Sequence, residues 1–216
     1  MDIDLTYLPV QDRTTSLAAI DVAMLGITAR IEQGIPGSKV HPSRSADKKI
    51  VTKLIVRAKD VQIKIEITPV LRGTVYDPVV MSVVPTVEEA FGSAEMQEVS
   101  FADLYAGKVV ASLDRQHPRD LFDVHDLLAH EGISDELRRA FLVYLISHNR
   151  PMAEVLAPTR KPLAYEFARG FVGMQQEPVT LADLETARET IITAMVSDMP
   201  DAHRHFLVGF KRGEPD

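Results

Sequence analysis

The sequence contains no cysteine. Disulfides, thiolate zinc sites and cysteine nucleophiles are therefore excluded. A glycine-rich phosphate loop and a Gly-x-Ser-x-Gly elbow are also missing, which disfavours P-loop and serine-hydrolase chemistry. The sequence shows no apolar run long enough to cross a bilayer and no leader segment, because Asp2 and Asp4 stand at its start. These absences predict a cytoplasmic protein without a membrane partner.

The composition is that of a folded protein. Hydrophobic residues make up 45% of 216 positions, enough to fill one compact domain or two closely packed subdomains. The net charge of −7 argues against a surface coated for nonspecific nucleic-acid binding. One stretch departs from this average, because seven basic residues and three acids lie between Asp47 and Arg72 (Lys48, Lys49, Lys53, Arg57, Lys59, Lys64 and Arg72 against Asp47, Asp60 and Glu66). This stretch is either an RNA-binding hairpin or an ordinary solvated strand face.

The order of predicted elements indicates an α+β fold, with strands in the first half and helices in the second. We therefore expect a sheet subdomain over residues 1–98 and a helical C-terminal subdomain over residues 99–216. The first half is predicted to hold a strand at 2–8, a helix at Ser16–Gln33, a hairpin of Ile50–Arg57 and Val61–Thr68, a strand at Val79–Val84 and a connector at Pro85–Glu98.

Capping signals place the helices of the second half. Ser100-x-x-Asp103 is a capping box that predicts a helix to about Arg115, and Thr180-x-x-Asp183 predicts another toward Met199. Pro118 and Ser134 begin two further helices, which are expected to end near Gly132 and His148. The proline-rich segment Asn149–Pro162 is the best internal boundary. The tail after Pro200 receives no assignment.

Three acids of the first half are candidates for a metal site. Asp2 and Asp4 share one face of their strand, while Ile3 and Leu5 point to the core. Glu66 lies on the polar face of Val61–Ile67, so the three carboxylates converge if both strands join one sheet. A divalent cation such as magnesium relieves such crowding. The alternative is a solvated terminus, with Glu66 paired to Lys64 or Lys53.

Charged residues also interrupt the apolar faces of two helices. Lys108 falls within the stripe formed by Phe101, Leu104 and Tyr105. Asp120 lies near the centre of the next helix's stripe, which consists of Leu121, Val124, Leu127 and Leu128, and Asp123 lies at its edge. Asp120 is therefore expected to be partly buried, and both Lys108 and Asp120 need partners, either each other or Arg115 and Arg119. Such pairs serve either catalysis or the locking of two helices.

Four of these segments, read in order, resemble one family. They are Asp2-Ile3-Asp4-Leu5-Thr6-Tyr7, Ile63-Lys64-Ile65-Glu66-Ile67, Lys108, and Arg119-Asp120-Leu121-Phe122-Asp123. This order resembles the AbiEii/AbiGii toxins. The resemblance implies a minimal nucleotidyltransferase-fold mixed sheet with flanking helices, followed by a helical C-terminal portion.

The resemblance also implies an activity and its residues. Asp2, Asp4 and Glu66 would be the ligands of a two-metal Mg²⁺ site. Lys108, Asp120 and Asp123 would be catalytic, and Lys64 and Arg119 would bind substrate. The reaction would transfer a nucleotide from an NTP to an acceptor, tRNA in some relatives, and a cognate antitoxin would neutralise the protein.

One part of the family pattern is missing from this sequence. Members carry a Gly-Gly or Gly-Ser turn ahead of the Asp-x-Asp pair, whereas Met1 directly precedes Asp2 here. The alternative expectation is therefore a truncated or degenerate relative that is catalytically inactive and serves as a partner-binding scaffold.

Overall fold

A computed structural model describes residues 2–47, 49–175 and 178–214, which leaves Lys48 of the basic stretch outside the described residues. The chain divides into two compact units, residues 1–74 and residues 75–216. The boundary expected after residue 98 therefore falls inside the second unit, as does the proline-rich segment Asn149–Pro162.

The first unit is a four-stranded mixed sheet with one helix. Its elements are β1 (Asp2–Leu5), α1 (Arg13–Gly34), β2 (Lys39–Arg44), β3 (Val51–Ala58) and β4 (Val61–Ile67). The strand order is β1-β4-β3-β2, with β1 parallel to β4 and the other pairs antiparallel. Lys59 adopts a positive φ of 51° in the β3–β4 turn. The α+β class, the mixed sheet and the hairpin are confirmed, whereas β2 was not predicted.

Helix α1 packs on one face of this sheet. Asp12 begins the helix by accepting a hydrogen bond from the Thr15 amide at 3.0 Å. Ile20 and Met24 are buried in the same cluster as Leu54 of β3. Asp21 ties the helix to β3, since its carboxylate accepts the Val51 amide hydrogen at 2.7 Å.

The opposite face of α1 is apolar and open to solvent. Val22 is 71% exposed and Leu25 is 41% exposed. By length and composition alone, this 22-residue helix is apolar enough to cross a membrane. The expectation that no segment reaches this length was wrong, because alanines and isolated aliphatic residues raise the mean hydropathy without forming a continuous run.

The second unit opens with a small hairpin. It comprises β5 (Val79–Ser82), the short helix α2 (Pro85–Phe91) and β6 (Glu95–Glu98), with β5 antiparallel to β6. The predicted connector Pro85–Glu98 thus contains a short helix and a strand that the sequence did not predict. Strand β6 shows no alternation of apolar and polar residues from which it could be predicted, and all four of its residues are exposed.

The rest of the second unit is helical. Its helices are α3 (Phe101–Arg115), α4 (Pro118–His130), α5 (Asp135–Ile146), α6 (Met152–Leu156), α7 (Ala164–Gly170), α8 (Leu181–Ile192) and α9 (Asp201–Arg212), with a π-helical turn at Thr193–Ser197 after α8. Helices α3, α4, α5 and α8 were predicted from their caps. Helices α6 and α7 are too short to show a period, and α9 lies in the unassigned tail.

The buried side of α3 differs from the predicted one. Phe101 and Leu104 are each 44% exposed. The helix instead buries the face that consists of Ala102, Asp103, Ala106, Val109, Val110 and Leu113. Small residues on this face allow α3 to approach α5 closely, which the large side chains would prevent. In α4 the predicted stripe is confirmed, with Leu121, Val124 and Leu127 fully buried.

Candidate functional site

The open face of the first unit's sheet brings the three predicted acids side by side. In the register of the parallel strands, Asp4 lies opposite Glu66 and Asp2 lies opposite Lys64. The other face of β4 is occupied by Ile65 and Ile67, which are buried beneath α1. Ile3 remains 36% exposed, so its expected burial was wrong. The alternation along each strand thus places the acids on the face that α1 does not cover.

Two lysines neutralise part of this acidic face. Lys64 Nζ lies 2.8 Å from Glu66 Oε2 and 3.1 Å from Asp2 Oδ2. Lys53 Nζ lies 2.8 Å from Glu66 Oε1, so each Glu66 oxygen has a cationic partner. The ion pairs with Lys53 and Lys64 lower the pKa of Glu66. The pairing of Glu66 with these lysines is the alternative arrangement that the sequence left open.

Asp4 has a different environment. Its carboxylate is exposed and forms no hydrogen bond or ion pair with the described residues. Within residues 2–47, 49–175 and 178–214, no group of three acidic or histidine side chains is arranged to hold a metal ion. Mg²⁺ commonly binds through only one or two carboxylates and completes its shell with water and phosphate oxygens. Asp4 suits that mode as it stands, whereas Asp2 first has to leave Lys64, and Glu66 has to leave both Lys53 and Lys64.

The lysine pairs make the stability of the first unit depend on pH. A lowered pKa for Glu66 means that its ion pairs stabilise the fold above the unfolded value of about 4.5 and are lost as the pH falls through the folded value. The pKa of Lys64 is raised above 10.5, first by the hydrogen bond to Glu66 and then by Asp2, so its contribution is lost only as the pH rises through that higher value.

We therefore expect Glu66→Gln to lower the melting temperature by about 2 °C between pH 6 and pH 9, because these pairs are about one-third exposed. The difference from the wild type should shrink as the pH falls through the lowered pKa of Glu66. Glu98→Gln, which changes an exposed carboxylate of β6, is the matched control and should show no such trend. A difference for Glu66→Gln that persists unchanged at pH 3 would contradict the assignment.

Three described cations of the basic stretch have partners on this sheet face. Lys53 and Lys64 bind Glu66, and the Arg57 guanidinium donates to Gln62 Oε1 at 3.0 Å. An RNA-binding hairpin requires basic side chains that are available to phosphates. The described residues therefore favour a sheet face built from ion pairs.

The second unit pairs the remaining candidates across α3 and α4. Lys108 Nζ lies 2.8 Å from Asp123 Oδ1 and 5.6 Å from the centre of the Tyr105 ring. Arg115 binds Asp120 through two hydrogen bonds of 2.6 and 3.1 Å. The side chain of Asp120 is 15% exposed, which confirms its expected partial burial. Asp120 thus pairs with Arg115, and Lys108 pairs with Asp123.

The corner between α3 and α4 is fixed by a residue that sequence reasoning missed. Gln116 ends α3 in the left-handed conformation and is 3% exposed. Its side-chain nitrogen Nε2 donates to the Thr159 carbonyl at 2.8 Å, and its side-chain oxygen Oε1 accepts the Lys161 backbone amide hydrogen at 3.1 Å. These bonds hold the segment between Arg115 and Asp120 in place. A glutamine at a helix end carries no sequence signal for this role.

Arg119 points elsewhere. Its guanidinium contacts the Met174 sulfur at 3.1 Å and the Gly170 carbonyl at 3.4 Å, beside α7. It shares no bond with Asp120 or Asp123 among the described residues. The structure therefore brings together Lys108 with Asp123 and Arg115 with Asp120, but leaves Arg119 apart from both pairs.

Comparisons with known proteins agree with this architecture. A family model described as the nucleotidyl transferase AbiEii toxin of type IV toxin–antitoxin systems matches residues 1–216. Among solved structures, MenT4, a nucleotidyltransferase toxin from Mycobacterium tuberculosis H37Rv, superposes with a TM-score of 0.66 at 17% identity. The match covers 94% of this chain and 70% of MenT4.

No curated protein sequence matches the chain significantly. At 17% identity, the likeness to MenT4 shows the fold alone. The family model is the stronger finding, because it spans the sheet acids, Lys108 and the Asp120–Asp123 segment together. The chain belongs to the nucleotidyl transferase AbiEii toxins of type IV toxin–antitoxin systems.

Proposed function

We propose that the protein transfers a nucleotide from an NTP to tRNA in the cytoplasm, in a reaction that depends on Mg²⁺. The observation that carries the proposal is the acidic face of the first unit, where Asp2, Asp4 and Glu66 are neighbours on paired strands and Asp4 remains unpaired. Oxygen ligands beside an open surface suit a metal that also binds phosphate oxygens. A cognate antitoxin is the expected partner of a type IV toxin.

Asp2 and Asp4 would hold the metal, in a site for one or two ions, and Glu66 would join them. The bound metal would supply neutralisation of the triphosphate charge. Lys64 would then act as a substrate ligand. Its ammonium already lies between Asp2 and Glu66, so any ligand that engages those acids frees it for a phosphate oxygen.

The candidates of the second unit would act on the reacting groups. The Lys108 ammonium would offset negative charge that develops on the phosphate. Asp123, its ion-pair partner, and Asp120, which Arg115 holds in a bidentate contact, would orient the attacking hydroxyl or accept its proton. Arg119 would bind substrate after leaving its contacts near α7.

Lys108→Met is expected to lower the rate of transfer about a hundredfold to a thousandfold, which is typical for the loss of one charge-stabilising group. The stability should fall by at most about 1 kcal/mol, because the Lys108–Asp123 pair is about one-third exposed. Single-turnover transfer assays and thermal melts separate the two effects. Arg139→Met removes a longer and more exposed ion pair with Asp135 in the same unit and should leave the rate unchanged. Equal rates for the two variants would remove Lys108 from the proposed mechanism.

The proposed function is tested by incubating the protein with purified tRNA, Mg²⁺ and each NTP in turn, and resolving the RNA on a denaturing gel. We expect one or more NTPs to lengthen the RNA, and chelation of the metal to abolish the product. If no NTP extends any tRNA or other RNA acceptor, the enzymatic proposal fails and the inactive, partner-binding scaffold replaces it.

A further inference from the structure

Arg72 is a cation of the first unit that neither the sequence motifs nor the family comparison assigns. It lies in the loop that follows β4, five positions after Ile67. The next residue fixes the loop, because the Gly73 amide donates to the Tyr7 carbonyl at 2.8 Å. Gly73 has a φ of +81°, and a Cβ there would lie only 2.8 Å from a methyl carbon of Val10. The glycine thus allows the loop to press against the segment that follows β1.

Among the described residues, no side chain or backbone carbonyl serves as an acceptor for Nη1 of the Arg72 guanidinium. Its Nη1 atom is shielded from solvent and forms no hydrogen bond within the described residues. No ion pair of Arg72 occurs there either, although the net charge of the chain is −7. By contrast, Arg44 binds Asp21 and Arg57 binds Gln62 in the same unit. Arg72 is only partly buried, but a shielded nitrogen donor without an acceptor is costly, which indicates that Nη1 is kept for a ligand.

The position of Arg72 shows where such a ligand would bind. Strands β1 and β4 are parallel, so the segments that follow them leave from the same edge of the sheet. Asp4 lies near this edge, and Tyr7 follows it by three residues, at most about 11 Å of chain. Ligands of open α/β sheets commonly bind outside the carboxyl ends of parallel strands.

We propose that Arg72 binds the phosphate chain of the nucleotide through its guanidinium, an inference that rests on the proposed function. The planar guanidinium donates two parallel hydrogen bonds to phosphate oxygens, a geometry that lysine cannot reproduce. The anion would supply the acceptor that Nη1 lacks. Arg72 is thereby a substrate-binding residue at the same edge of the sheet as Asp4.

Inorganic tripolyphosphate is the probe, because it carries the phosphate chain without base or ribose. Isothermal titration in magnesium buffer compares the wild type with Arg72→Met, Arg72→Lys and the control Arg57→Met. We expect Arg72→Met to bind at least tenfold more weakly than the wild type, consistent with the loss of a charged hydrogen bond. Arg72→Lys should fall between them, and Arg57→Met should match the wild type.

A thermal melt provides a readout that a structural role would not produce. Without ligand, Arg72→Met should melt at or slightly above the temperature of the wild type, because it removes a shielded donor that has no acceptor among the described residues. Tripolyphosphate should raise the melting temperature of the wild type, and should have little effect on Arg72→Met. A melting temperature several degrees below the wild type would show that Arg72 supports the fold and would overturn the inference.

The two proposals can fail separately. If the wild type transfers nucleotides and Arg72→Met binds tripolyphosphate as tightly as the wild type, the role of Arg72 is refuted and the proposed function stands. If the wild type neither extends RNA nor binds tripolyphosphate, the proposed function fails and the role of Arg72 fails with it.

Discussion

Asp4→Asn is expected to reduce nucleotide transfer about a thousandfold, which corresponds to about 4 kcal/mol of transition-state stabilisation. The substitution keeps the shape of the side chain and removes the negative charge that a metal requires. The fold should be unaffected, because Asp4 is exposed and has no partner among the described residues. Transfer rates at several Mg²⁺ concentrations measure the effect.

Asp60→Asn is the matched control, since Asp60 is an exposed acid in the β3–β4 turn of the same unit. It should transfer nucleotides at the rate of the wild type. Partial recovery of Asp4→Asn at high Mg²⁺ would fit weakened metal binding. An Asp4→Asn rate within threefold of the control would exclude Asp4 as a metal ligand.

Asp103→Ala is expected to lower the free energy of unfolding by about 2–4 kcal/mol, because several partly buried donors lose a charged acceptor. Asp103 is 1% exposed and accepts hydrogen bonds from the amides of Val75 and Tyr76 at 2.8 and 3.0 Å. The hydroxyls of Ser100 and Tyr144 also bind it, at 2.7 and 3.3 Å. Burial, with Asp103 as a second cause, raises the pKa of Tyr144, so Tyr144 stays a donor. The alanine would leave partly buried donors without an acceptor.

Asp183→Ala is an internal control for this prediction. Asp183 follows Thr180 as Asp103 follows Ser100, but it is partly exposed, and among the described residues its carboxylate bonds only to Thr180. Its loss should cost much less than the loss of Asp103, because only a local helix cap is broken. Urea denaturation of both variants compares them, and similar losses would show that the long-range bonds of Asp103 contribute little.

The two Ser/Thr-x-x-Asp motifs show where sequence reasoning ends. Both correctly predict the start of a helix, since a cap depends on residues three positions apart. Only Thr180 and Asp183 form the reciprocal box, however. The Asp103 carboxylate turns instead to Val75 and Tyr76, which lie far away in sequence. No local pattern carries that information.

The same limit explains the error in α3 and the omission of β6. Apolar periodicity gives weight to large side chains such as Phe101 and Leu104, whereas packing against α5 selects the alanine-rich face. Strand β6 pairs with β5 through backbone hydrogen bonds, and its exposed side chains show no alternation. Elements that are amphipathic over several turns, such as α4, are predictable because burial and sequence pattern agree there.

Within the candidate site, the sequence predicts which acids share a face but not which partners they take. The period of a strand places Asp2 with Asp4 and Lys64 with Glu66. The register, which sequence does not reveal, sets Asp4 beside Glu66 and Lys53 opposite Glu66. The sequence also does not predict that Nη1 of Arg72 lacks an acceptor among the described residues, because this depends on which groups surround it in the fold.

The most direct test of nucleotide transfer is the fate of the two phosphate labels. The protein is incubated with tRNA, Mg²⁺ and NTPs labelled at either the α- or the γ-phosphate, and the radioactivity of the RNA is counted, with Asp4→Asn in parallel. We predict that α-label enters the RNA, that γ-label does not, and that Asp4→Asn transfers neither. Transfer of γ-label, or α-label incorporated equally by Asp4→Asn, would contradict the account.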